Sequence, residues 1–155
     1  MDAYLEAVSA QSLSDSTLDR NVSIIYTPLN GAGRYCVTRI LKENGFDNIT
    51  VVQEQELPDG NFPTCPNPNP ELPEAMELGI KYARRTGSEL LLATDPDCDR
   101  VGIAVKDGQG YTLLTGNETG MLLSLIHIYQ YKHSRIGLAN RFGPYSSNIH
   151  YRKEQ

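Results

Sequence analysis

The sequence predicts an α/β fold: a three-layer α/β/α domain with a mostly parallel mixed sheet and a C-terminal antiparallel hairpin. Three observations carry that prediction. Short apolar runs of strand length (Val22–Tyr26, Ile49–Val52, Leu90–Ala93) alternate with segments of helical period (Arg34–Asn44, Pro73–Arg85), and such alternation builds parallel sheets. Two later runs, Val101–Lys106 and Tyr111–Leu114, flank the turn sequence Asp107-Gly108-Gln109-Gly110, as hairpin strands do. At 155 residues the chain is long enough for one domain with a real core.

Residues 1–10 read as a short helix with Leu5 and Val8 on one face, and residues 11–21 as a polar, Ser-rich linker. The first strand runs into Thr27-Pro28-Leu29-Asn30-Gly31-Ala32-Gly33. This stretch has two readings. A strand, a Gly-containing turn and a helix N-terminus can cradle an anion, or the turn simply needs small residues. Gly31-Ala32-Gly33 completes neither a dinucleotide fingerprint nor a Walker loop. The helix that follows carries Val37, Ile40 and Leu41 on its apolar face, and Gly45 closes it.

After the second strand comes a loop over residues 53–72, rich in Glu and Pro. Its prolines exclude helix and central strand, and loops of this length are often functional. Phe62 is expected to pack it against the core. Pro73 suits the first turn of the next helix, Ala75, Met76, Leu78, Gly79, Ile80 and Tyr82 give its apolar contacts, and Lys81, Arg84 and Arg85 suit its C-terminal end. Asn117 is the expected cap of a last helix from about Glu118 to Ile128. Beyond Tyr129 no period persists, and a poorly ordered tail is expected. The expected organisation is therefore a helix and linker over 1–21, the α/β/α domain over 22–128, and a tail over 129–155.

Net charge is −5, which gives no indication of a nucleic-acid partner. The charge is uneven. Residues 1–125 hold 18 acids against 9 bases, whereas 126–155 hold 1 acid, 5 bases and all three His residues. Cys36, Cys65 and Cys98 show no paired spacing, as expected in a reducing compartment rather than in a disulfide framework or zinc site. Met1-Asp2-Ala3-Tyr4 has neither the basic nor the apolar region of a signal peptide, and no run reaches the roughly 18 apolar residues of a membrane span. The expectation is a soluble, cytoplasmic protein with no membrane partner.

Between two apolar strands lies Asp95-Pro96-Asp97-Cys98-Asp99-Arg100. Three carboxylates at i, i+2 and i+4 repel one another, and a bound divalent cation accounts for them most economically. Hard cations take oxygen ligands, and Mg²⁺ combines a few carboxylates with water or phosphate. Arg100 can fork onto a phosphoryl group. An Asp-rich turn is the plain alternative. An EF-hand is disfavoured, since counting from Asp95 puts Arg100 at the glycine position and Lys106 at the terminal Glu position. A phosphatase of the haloacid dehalogenase type, with Asp95 as nucleophile, shares the Asp-x-Asp but would usually carry Thr or Val where Asp99 stands.

The stretch Tyr26–Leu123 resembles the second domain of the phosphohexomutases, the phosphoglucomutase/phosphomannomutase family. Asp95–Arg100 is similar to that family's metal loop, usually Asp-Gly-Asp-x-Asp-Arg, with Pro96 in place of Gly. Thr27-Pro28-Leu29-Asn30-Gly31 resembles its Thr-Pro-x-His-Gly, with Asn30 in place of His. Asp59-Gly60-Asn61-Phe62-Pro63, Pro68-Asn69-Pro70-Glu71 and Leu114-Thr115-Gly116-Asn117-Glu118 resemble later family segments. The resemblance implies a phosphotransferase that interconverts hexose 1-phosphate and hexose 6-phosphate, with Asp95, Asp97 and Asp99 as Mg²⁺ ligands and Arg100 as the catalytic residue. The family's serine loop, of the Ala-Ser-His-Asn-Pro kind, and its Gly-Glu-Glu-Ser-Gly sugar loop do not occur in these residues. The expectation is a fragment that is inactive alone and whose partners are the missing domains of the same enzyme. The alternatives are a stand-alone Mg²⁺-dependent phosphatase and a non-catalytic binding module.

Overall fold

The computed structural model describes residues 1–12 and 18–126. The expected tail over 129–155, part of the Ser-rich linker and the end of the last helix lie outside them. The chain divides at Thr119: Met1–Thr119 forms one compact unit, and Gly120 onward belongs to the other.

In the first unit, helix α1 (Asp2–Ser9) precedes strand β1 (Ile24–Thr27), helix α2 (Arg34–Glu43) and strand β2 (Ile49–Val51). A single 3₁₀ turn (Gln53–Gln55), helix α3 (Pro73–Thr86) and strands β3 (Leu90–Thr94), β4 (Val101–Asp107) and β5 (Gly110–Leu114) follow. The sheet order is β2-β1-β3-β4-β5. β1 is parallel to β2 and β3. β4 then runs antiparallel to β3, and β5 antiparallel to β4. The sheet is thus mixed, as expected, with its parallel part at β2-β1-β3. The hairpin turn is tighter than the sequence implied, because Asp107 and Gly110 pair directly across Gly108-Gln109.

β1 sits between two strands and is buried along its whole length, which explains its unbroken apolar run. Side chains alternate across the sheet. Ile25, Leu91, Ala93 and Ala104 face the α3 side and join Ala75, Met76 and Ala83 in the main core. On the other face Tyr26 reaches the start of α2, where a Cβ on Gly33 would meet its hydroxyl. α1 is tied to α2 by the Arg39–Asp2 ion pair at 2.6 Å. α3 keeps five buried residues, whereas α2 buries none completely.

Some expectations change. Leu5 is buried, but Val8 is exposed, so α1 offers a narrower apolar face than read. The loop over 53–72 is anchored by buried Cys65 and Pro70 rather than by Phe62, which is half-buried. Pro70 packs so closely on β4 that a Cβ on Gly102 would lie 2.4 Å from its carbonyl oxygen. Residues 116–126 are helical, and the cap is Thr115, not Asn117. The Thr115 hydroxyl accepts the Glu118 N–H at 3.2 Å, and the Glu118 carboxylate accepts the Thr115 N–H at 2.7 Å. This reciprocal pair is the capping box that Thr-x-x-Glu encodes. Among the described residues no helix is long and apolar enough to cross a membrane.

Candidate metal centre

The acidic loop leaves the C-terminal end of β3 and returns as β4, closed at its base by the Thr94–Val101 pair. Asp95 is its inner anchor and is fully buried. Its Oδ1 accepts the Arg100 backbone N–H at 2.9 Å, and its Oδ2 accepts Arg100 Nε at 2.8 Å. The Cys98 N–H bonds the Asp95 carbonyl at 3.0 Å, and Cys98 takes a left-handed backbone at φ 65°. That conformation tightens the turn and brings the alternate residues to one side.

The result is convergence. Asp95, Asp97 and Asp99 each offer a carboxylate oxygen, and these oxygens lie within 4.8 Å of one another. Among the described residues this is the one group of three acidic, His or Cys side chains able to share an ion. Asp97 and Asp99 are exposed and Asp95 is buried, so the trio has a fixed floor and an open mouth.

The charges register the crowding. Burial pushes the Asp95 carboxyl up, but the Arg100 backbone N–H, the Arg100 guanidinium and Asp99 outweigh it and hold it below its usual value. The Asp99 carboxyl is pushed up, first by its side-chain hydrogen bond to Asp95 and then by the Asp97 and Asp95 charges. Asp95 in turn raises the Arg100 guanidinium. Arg100 Nε also lies 3.6 Å from Asp99. The guanidinium thus balances part of the acidic charge.

A second loop, at the end of β1, supports the first. The Ala32 N–H donates to the Pro96 carbonyl at 2.8 Å, and a Cβ on Gly31 would lie 2.3 Å from Pro96 Cα. A Cβ on Gly33 would strike Tyr26 Oη, Thr94 Oγ1 and Cys98 Sγ, all within 2.9 Å. Tyr26 and Thr94 hydroxyls are bonded at 2.9 Å, Thr94 being the residue before Asp95. The two glycines therefore serve close packing, which favours the tight-turn reading of Gly31-Ala32-Gly33. Positive φ falls instead on Leu29 and Asn30, at 48° and 58°. No sequence signal marks Leu29 for that conformation, although Asn30 tolerates it.

Residues 2–109 match the family model for phosphoglucomutase/phosphomannomutase, alpha/beta/alpha domain II. The chain belongs to the phosphoglucomutase/phosphomannomutase family. It is 35% identical to the probable phosphomannomutase of Haemophilus influenzae, over 85% of this chain and 27% of that protein. It is 39% identical to the phosphoribomutase of Saccharomyces cerevisiae, over 83% of this chain and 22% of that protein. A crystal structure of a phosphoglucomutase/phosphomannomutase family protein from Burkholderia thailandensis superposes with a TM-score of 0.56 at 28% identity, covering 72% of this chain and 22% of that one. The chain thus spans about a quarter of the length of these curated relatives. Strands β1 to β4 and the acidic loop of this phosphohexomutase domain lie inside the matched range, and β5 follows it.

Proposed function

We propose that this chain is the metal-loop domain of a phosphosugar mutase, and that Asp95, Asp97 and Asp99 hold a Mg²⁺ ion while Arg100 receives the phosphoryl group of a hexose phosphate. The observation that carries the reading is the convergence of three carboxylate oxygens within 4.8 Å on a loop braced by a second loop. The donor set fits the ion: all three ligands are hard oxygens, and the exposed side leaves room for water or phosphate. Such an ion acts as a Lewis acid toward a phosphoryl group in transfer.

The chain's own residues do the rest. Asp95, locked by Arg100 and buried, is the rigid ligand. Asp97 and Asp99, both exposed, would supply the other two carboxylate ligands. Arg100 keeps its Nε on Asp95, which leaves its terminal nitrogens to meet an incoming phosphate oxygen.

The working domain is the compact unit that ends at Thr119, with α1 part of it, and the remaining parts of the enzyme supply the phosphoserine and the sugar-reading loops. Alone, the 155-residue chain takes up the ion weakly and does not interconvert glucose 1-phosphate and glucose 6-phosphate. Three free thiols support the expectation of a reducing, cytoplasmic setting. Exposed Tyr4 and Val8 on α1 favour a second reading, a module that docks against other protein, but that reading leaves the acidic trio unexplained.

The deciding experiment is a Mg²⁺ titration of the wild-type chain beside Asp97→Asn. Affinity should fall by about tenfold or more when one of three carboxylates is removed. Equal binding by the two proteins, or turnover of glucose 1-phosphate by the chain alone, contradicts the proposal.

A further inference from the structure

The 3₁₀ turn after β2 contains a buried polar side chain that takes no part in the acidic loop. Gln55 is 1% exposed. Its Oε1 accepts the Thr27 hydroxyl at 2.7 Å, and its Nε2 donates to Thr64 Oγ1 at 3.1 Å. A glutamine this deep costs desolvation that an apolar residue would not, so its bonds must hold something particular.

What they hold is the loop at the end of β1. Thr27 Oγ1, which donates to Gln55, accepts the Leu29 N–H at 3.1 Å. The Gln55 carbonyl accepts the Asn30 N–H at 2.9 Å. Asn30 Nδ2 donates to the Glu54 and Leu57 carbonyls at 3.3 and 2.9 Å, and the Asn30 carbonyl accepts the Asp59 N–H at 3.0 Å. These bonds keep Leu29 and Asn30 in consecutive left-handed conformations, an arrangement that non-glycine residues keep only when their surroundings enforce it. The next residues, Gly31 and Ala32, are the ones that touch Pro96 of the acidic loop.

We propose that Gln55 is a positioning residue for the acidic loop: through Thr27 it sets the Leu29–Asn30 backbone, and so fixes where Gly31 and Ala32 hold Pro96 between Asp95 and Asp97. The inference rests on the reading of Asp95, Asp97 and Asp99 as ligands of a divalent cation. Its two side-chain bonds have separate duties. The bond from Thr27 carries the positioning, whereas the bond to Thr64 only secures the Pro-rich loop.

The test uses the whole chain and Mn²⁺ as the probe ion, counted by loss of the free-ion paramagnetic resonance signal. Gln55→Leu and Thr27→Val should each weaken Mn²⁺ binding by about three- to tenfold. Thr27→Ser, which keeps the hydroxyl, should bind as wild type, and so should Thr64→Val. Far-UV dichroism and thermal midpoints accompany each titration. If Gln55→Leu does not fold, Thr27→Val, which preserves side-chain shape, carries the comparison with Thr27→Ser. Wild-type affinity in Thr27→Val overturns the inference, as does a loss in Thr64→Val equal to that in Gln55→Leu. Failure of the wild-type chain itself to take up Mn²⁺ overturns the cation reading on which the inference stands.

Discussion

Two glycines show how a single hydrogen in place of a side chain can be required for opposite reasons. Gly31 is packed against Pro96, and its missing Cβ would fall 2.3 Å from a backbone carbon. Gly87 ends α3 at φ 74° with nothing within 4 Å of where its Cβ would stand. Gly31→Ala should therefore cost about 1–3 kcal/mol by overpacking and should also weaken divalent-ion binding, because the atom struck belongs to the acidic loop. Gly87→Ala should cost about 1 kcal/mol through its backbone alone and leave ion binding as in wild type. Chemical denaturation paired with ion titration separates the two. At this scale the sequence was legible where charged residues converge in space. Asp95, Asp97, Asp99 and Arg100 announce themselves by type and spacing. Gln55 and Leu29 do not, because a glutamine in a Glu-rich loop reads as solvated and a leucine gives no sign of left-handed backbone.

Among the elements, the link between α3 and the 3₁₀ turn at Gln53–Gln55 gives a pH-dependent contact. The Tyr82 hydroxyl donates to Glu54 Oε2 at 2.7 Å, and this bond holds the Glu54 carboxyl below its ordinary 4.5. A carboxyl lower in the folded than in the unfolded chain contributes stability that is fully present above its ordinary value. That stability is lost as pH falls through the folded value. Wild type should therefore exceed Tyr82→Phe in urea midpoint above about pH 5, and the two should converge in stronger acid. A gap that stayed constant with pH would mean that the hydroxyl acts only through packing. The long elements were legible for a related reason. β1 is buried throughout, β3 alternates until its last residues, and α3 buries one helical face, each as its apolar pattern indicates. Residues 116–126 are capped by Thr115 rather than by Asn117, because Thr115-x-x-Glu118 spells the box.

For the whole molecule, the three thiols sample three environments. Cys98 is exposed in the acidic loop, Cys36 is intermediate on α2, and Cys65 is buried in the core of the first unit. Burial raises the Cys65 thiol further, so it is both hidden and less ionised. Under native conditions a disulfide reagent should label Cys98 fastest and Cys65 only at the rate of opening, with Cys65 tracking unfolding when urea is added. Rapid Cys65 labelling in the native chain would show that the Pro-rich loop opens without global unfolding. The acidic loop itself has a consequence for engineering. Its three carboxylates occupy a single short segment, yet the strut that steadies it, from Ala32 to Pro96, comes from a strand end far away in sequence. A synthetic peptide copying residues 90–105 would carry every carboxylate and still lack that support. The acidic loop is thus no portable cassette: transplanted to another hairpin, its three carboxylates should repel one another and splay.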